Sequence, residues 1–88
     1  MRIDLFLHRI RLAKSRSLAQ ALVAGGRTRI DGRRVDKASD AVRLGSIVAV
    51  PIRGRVRILR VRLLPDRRGP PAEARAAYEE IDEVGAAT

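Results

Sequence analysis

The chain contains no cysteine, one histidine (His8) and two aromatic residues, Phe6 and Tyr78, in 88 positions. Without cysteine there is no disulfide framework and no thiolate metal centre. A single histidine does not build a zinc site. Two aromatics are too few for a sheet that stacks single-stranded bases, so Phe6 is assigned to the core. No long apolar run is present, and the opening Met1-Arg2-Ile3-Asp4 carries an early acid. Neither a signal peptide nor a membrane span is expected, which makes the cytoplasm the default compartment. No phosphate-cradling glycine loop and no nucleophile–base set can be assembled, so neither an enzyme nor a cofactor is expected. Asp4 reads as a helix cap and Asp31 as a turn residue, rather than as catalytic acids.

What is abundant is positive charge. The net charge is +9 and the sequence pI is about 11.6. Self-repulsion at that charge disfavours a compact state, so the excess points to an anionic partner and to a monomer. The charge is unevenly spread: +7 over residues 1–37, +6 over 38–69 and −4 over 70–88. Of 19 basic residues only Lys14 and Lys37 are lysines. Arginine is the better bidentate phosphate donor and also stacks on bases.

The length suits one domain with a small core. Asp4 is placed as the N-cap of a first helix running to Leu12, with Ile3, Phe6, Leu7 and Ile10 on one buried stripe. Ser15 or Ser17 caps a second helix that ends near Ala24, with Leu18, Ala21 and Leu22 inward and Gly25-Gly26 as its stop. Asp31-Gly32 between Arg27–Ile30 and Arg33–Val35 is a type I′ hairpin signal. Ile47–Val50 reads as a buried strand closed by Pro51. Residues 55–64 alternate, with Val56, Ile58, Val61 and Leu63 apolar and a bulge expected at Leu59-Arg60 to restore the phase. Pro65–Pro71 reads as a linker. Ala72–Val84 reads as a final acidic helix with Tyr78 docked on the sheet and a fraying end, before a disordered tail.

The stretch from Lys14 to Lys37 concentrates the cationic residues. The N-terminus of the second helix at Ser15-Arg16 offers free N–H groups and partial positive charge, flanked by Lys14 and Arg16. Arg27, Arg29, Arg33 and Arg34 fall on the adjoining hairpin. Together they can track a phosphate backbone, of structured RNA first and of DNA as a further possibility. Arg55, Arg57, Arg60 and Arg62 are better read as the charged outer face of a strand that resists edge pairing.

These residues also carry a resemblance. Arg2-Ile3-Asp4-x-x-Leu7, Lys14-Ser15-Arg16-Ser17-x-Ala19, Gly25-Gly26-Arg27-x-x-Ile30-Asp31-Gly32-x-x-Val35 and Lys37 resemble the RNA-binding domain named after small-subunit ribosomal protein four. Arg67-Arg68-Gly69-Pro70-Pro71-Ala72-Glu73-Ala74 followed by Tyr78-Glu79-Glu80 is similar to the family of fifteen-kilodalton bacterial heat-shock proteins that associate with ribosomes. Members often have tryptophans in the first helix, where this chain has Phe6 and His8. The resemblance implies an α+β fold: two N-terminal antiparallel helices packed on a small, mostly antiparallel β-sheet (the alpha-L motif), with a C-terminal helix. It implies an RNA-binding domain over residues 1–64, followed by linker, acidic helix and tail over 65–88. Carried across by position, Arg2, Lys14, Ser15, Arg16, Arg27, Arg33 and Lys37 are the contacts. The implied role is non-catalytic binding of large-subunit ribosomal RNA, and of tRNA, on subunits stalled with a nascent chain.

Two other functions compete with this one. One is a targeting module for an RNA-modifying enzyme, which needs a further catalytic domain. The other is an adaptor whose acidic helix binds a basic protein.

Overall fold

The computed structural model of the chain describes residues 1–81. Helix α1 covers Ile3–Arg9 and α2 covers Arg16–Ala24. Strands follow at β1 (Thr28–Ile30), β2 (Arg33–Val35), β3 (Ile47–Ile52) and β4 (Arg55–Val61), then a short α3 (Pro71–Ala76) and β5 (Tyr78–Ile81). The five strands form one sheet in the order β2-β1-β3-β4-β5, with every adjacent pair antiparallel. The expected α+β class and the pair of N-terminal helices on an antiparallel sheet are therefore present.

The stripe Ile3, Phe6, Leu7 and Ile10 is buried as its spacing predicts, and Val23, Val48, Val50, Leu59 and Val61 complete the core beneath it. Helix α1 begins two residues earlier than expected. Arg2 is its N-cap position, and Asp4 lies inside the first turn. The free N–H groups of Ile3 and Asp4 donate to the carbonyls of Asp40 (2.7 Å) and Ala38 (3.3 Å), so the loop after β2 takes the place of a capping side chain. Ser15 caps α2, its Oγ accepting from the Leu18 N–H at 3.1 Å.

Three local expectations are corrected. On α2 the inward residues are Ala19 and Val23, with Leu22 partly covered; Leu18 is 51% exposed and Ala21 faces out. The helix is rotated because Arg16 and Gln20 must reach Asp4 on α1. Next, β3 continues through Pro51 to Ile52. Its partner β1 is paired with it only at Ala49 and Val48, so Pro51 lies beyond the shared ladder, where its missing N–H removes no bond to β1.

The third correction concerns β4, which has no bulge. Its register against β3 is unbroken from Ile47↔Arg60 to Ile52↔Arg55. Leu59 and Val61 therefore occupy the core, while Val56 is 61% exposed on the opposite face. Keeping every ladder bond outweighs burying one more valine.

The expected long acidic helix is also replaced. Its first part is α3, and Tyr78–Ile81 then pairs with β4 as an edge strand. Arg57 on β4 and Arg62, just past its end, supply partners for the acids. Arg57 Nε donates to Glu80 Oε2 at 3.0 Å and Arg62 Nη1 to Glu79 Oε1 at 3.1 Å. Tyr78 packs against the core, but from within β5 and not from a helix docked on the sheet. The predicted end of the helix at Val84 and the tail beyond it lie outside the described residues.

Segment 65–70 lies along α1. Arg9 Nη1 donates to the Pro65 carbonyl at 2.9 Å, Arg11 Nε to the Gly69 carbonyl at 2.6 Å and Arg68 Nε to the His8 carbonyl at 3.1 Å.

Candidate nucleic-acid interface

The site is organised by a carboxylate. The Asp4 side chain is fully buried and accepts from four donors: Arg2 (3.0 and 3.1 Å), Arg16 (3.1 Å), Gln20 (3.1 Å) and the Leu5 N–H (2.8 Å). Burial pushes its pKa up, but the hydrogen bonds from Arg2, Gln20, Arg16 and Leu5 outweigh burial. The carboxyl is held well below the usual range. The Arg2 and Arg16 side chains are each about half exposed at 45%, so the carboxylate fixes the orientation of two cations at the protein surface.

The loop that satisfies α1 begins at Lys37, whose carbonyl accepts from the Asp40 N–H at 3.0 Å. A backbone bridge between Arg2 and Ala41 then joins this loop to the site. Beyond Ala41 a groove of about 450 Å³ is lined by Arg33, Arg43, Asp31 and Ser46. Arg2 and Arg16 thus meet at Asp4, the bridge to Ala41 leads from them to the groove that Arg33 lines, and Lys37 stands at the start of the same loop.

The hairpin is fixed independently. Asp31 (φ 53°) and Gly32 (φ 82°) take the positive φ values of a type I′ turn. Asp31 also ties the turn to β3: its N–H donates to the Ile47 carbonyl at 2.7 Å, and its Oδ1 accepts from the Ile47 N–H at 2.9 Å.

The remaining cations are spread further. Lys14 lies on the other flank of α2, beside Leu18, Leu22 and Arg53. Between the flanks the outer face of α2 is Ser17, Ala21 and Ala24, all exposed and small. Arg27 is exposed between α2 and β1, and the β1–β2 register puts it at the same end of the hairpin as Lys37. Arg29 and Arg34 are cross-strand partners. Because Thr28, Ile30 and Val35 are buried, alternation sends Arg29 and Arg34 to the sheet face away from the helices. They are not brought together with Arg2 and Arg16.

Sequence reasoning missed Asp4 as organiser, and with it Gln20. The signal available was the Arg16/Gln20 pair at i, i+4 on one helix face. Arg43 was hidden in a segment read as plain loop. His8 is partly exposed, and burial followed by the nearby Arg68, Arg16, Arg9 and Arg11 lowers its pKa.

Residues 1–48 match the S4 domain family. The chain belongs to the S4 domain family. Across 83 residues it is 31% identical to Heat shock protein 15 of Escherichia coli K12, covering 94% of this chain and 62% of that protein's length. It is 35% identical over 57 residues to the small ribosomal subunit protein uS4 of Kosmotoga olearia, covering 65% of this S4-domain chain and 27% of that protein. The Vibrio cholerae Heat Shock Protein 15, whose structure is described as trimeric, superposes with a TM-score of 0.84 at 28% identity, covering 99% of this chain and 87% of that one. That likeness takes in α3 and β5, which lie beyond the residues matching the S4 domain.

Proposed function

We propose that this S4-domain protein binds structured RNA without catalysis, through the surface that flanks α2 on both sides. The observation that carries this reading is the Asp4 cluster. A buried carboxylate presents two arginines to solvent in fixed positions, which removes side-chain entropy otherwise lost on binding. Arg2, Arg16, Lys37 and Arg33 supply phosphate contacts on one flank and Lys14 on the other. Arg27 stands at the end of the hairpin, and the α2 N-terminus capped by Ser15 lies among them. The small residues between the flanks let a backbone lie close to the helix. Arg29 and Arg34, on the opposite face, are assigned no first contact.

The likeness to the Escherichia coli and Vibrio heat-shock proteins supports a ribosome-associated stress role in the cytoplasm. We assign large-subunit ribosomal RNA, and tRNA on subunits stalled with a nascent chain, as the ligands. The high net charge favours a monomer, and light scattering separates that state from the trimer described for the Vibrio protein.

Co-sedimentation with purified large ribosomal subunits over a range of salt tests the reading. About five phosphate contacts give a log–log slope near −4 on duplex-like RNA. Binding that is indifferent to salt rejects the proposal. Charge reversal at Lys14 weakens binding far more than reversal at Arg34; equal losses move the surface to the other face of the sheet.

A further inference from the structure

The sheet runs out from beneath the helices at the β3–β4 turn. There a cleft of about 700 Å³ opens between Arg11, just past α1, and the strand ends bearing Arg53, Arg55, Arg57 and Glu80. Among the described residues, four guanidinium groups meet one carboxylate there. Glu80 is engaged by Arg57, whose pKa rises above its ordinary value through that hydrogen bond. Arg53 and Arg55 are exposed and have no ion-pair partner among the described residues. Arg11 is steadied at the cleft wall by its Nε bond to the Gly69 carbonyl.

Two of these arginines occupy a backbone conformation that opposes them. Arg11 has φ 67° and Arg53 has φ 52°. Glycine or asparagine adopts this left-handed region with less strain. Arg53-Gly54 forms the centre of the β3–β4 turn with both φ values positive, where asparagine-glycine is the favoured pair. Both strained arginines line the same cleft, so backbone preference does not account for either residue and the side chain does. Arg53 also lines the adjoining groove with Lys14 and Leu18, which joins the cleft to the flank of α2.

We propose that this cleft is a second phosphate subsite of the RNA surface. RNA backbone crossing Lys14 continues over Arg53 and sets a phosphate among Arg11, Arg53 and Arg55, with the Arg57–Glu80 pair as the far wall. Among the described residues no aromatic side chain lines the cleft, and its guanidinium groups match phosphate as bidentate donors. The proposal rests on the RNA-binding reading above and extends it past the helix–hairpin stretch.

The test titrates the full chain, Lys14→Gln, Arg53→Asn and the double variant Arg53→Asn/Arg55→Gln against a labelled synthetic RNA stem–loop at several salt concentrations, alongside thermal melts. Arg53→Asn is expected to keep or raise Tm, because the turn is relieved of strain, and yet to weaken binding. The double variant is expected to bind roughly tenfold more weakly. Its salt slope becomes shallower by about one for each phosphate that is no longer neutralised. Stability and affinity moving in opposite directions is an outcome that a purely structural arginine does not give. Unchanged affinity and slope in Arg53→Asn and in the double variant, with Lys14→Gln still weakened, overturns the subsite and leaves the first surface standing. No salt-dependent binding by the unsubstituted chain overturns the RNA-binding reading, and the subsite with it.

Discussion

Arg16 Nη2 donates to Asp4 Oδ2 across 3.1 Å, joining the first residue of α2 to the first turn of α1. The contact has two consequences: it sets the rotation of α2 on the core, and it aims a cation at solvent. Asp4→Ala removes a buried acceptor shared by Arg2, Arg16 and Gln20. It is expected to lower stability by about 2 kcal/mol in urea unfolding. Arg16→Ala leaves Arg2, Gln20 and the Leu5 N–H on the carboxylate and is expected to cost about half as much. Equal costs for the two substitutions contradict Asp4 as the organising group.

The same carboxylate gives a pH dependence. Its folded-state pKa is held well below the unfolded value of about 3.9. The native state therefore binds fewer protons than the unfolded chain in the acid range. Its contribution is complete above about pH 5 and is lost as pH falls toward the folded-state pKa. Urea midpoints of the wild-type chain are expected to fall below that pH. Asp4→Asn, already without the contribution at neutral pH, shows a flatter acid limb; parallel limbs exclude Asp4 as the source.

Asp31 combines a turn conformation with a clamp. Asp31→Ala keeps the positive φ at a cost of about 1 kcal/mol. It also loses the bond from the Ile47 N–H, for about 1 kcal/mol more. Asp31→Asn retains an acceptor and tolerates the left-handed region, so its thermal midpoint stays near that of the wild type. A similar loss in both variants shows that the carboxylate charge matters, not the turn geometry.

Rotation of α2 is tested by two truncations. Val23→Ala opens a cavity in the core and is expected to cost about 2 kcal/mol. Leu18→Ala removes a side chain that is half exposed and is expected to change stability by less than about 0.5 kcal/mol. The reverse ordering in chemical denaturation restores the Leu18, Ala21, Leu22 stripe read from spacing.

That pair also shows where the sequence was legible. Ile3, Phe6, Leu7 and Ile10 repeat at helical spacing with one apolar solution, and all are buried. Asp31-Gly32 admits one tight turn, and it forms. On α2 the apolar residues allow two rotations, and the choice falls to Asp4, twelve residues before Arg16 and reached only in three dimensions. On β4, Val56 and Ile58 compete with Leu59 and Val61 for the core face. The partner strand β3 decides, through an unbroken ladder that local alternation does not reveal. Lys14, Arg16 and Arg33 were recognisable as site candidates from their dense charge. The separation of Arg29 and Arg34 was not, because strand facing depends on which neighbours are buried.

The last prediction concerns the edge of the sheet. Glu80 lies on β5 opposite Leu59, and its carboxylate reaches along β4 to Arg57. The Arg57 hydrogen bond lowers the Glu80 pKa most, against burial, with the Arg57 and Arg55 charges adding to it. Both side chains retain solvent contact at 28% and 46%, so the pair contributes no more than about 1 kcal/mol. Glu80→Gln is therefore expected to leave the fold intact with a small loss of stability. It also releases the Arg57 charge into the cleft shared with Arg53 and Arg55. If that cleft receives an RNA phosphate, Glu80→Gln binds a stem–loop more tightly than the wild type and with a steeper salt slope, although the protein is slightly less stable. Weaker binding from a folded Glu80→Gln shows instead that the acid, by holding Arg57 in place, is part of the binding geometry.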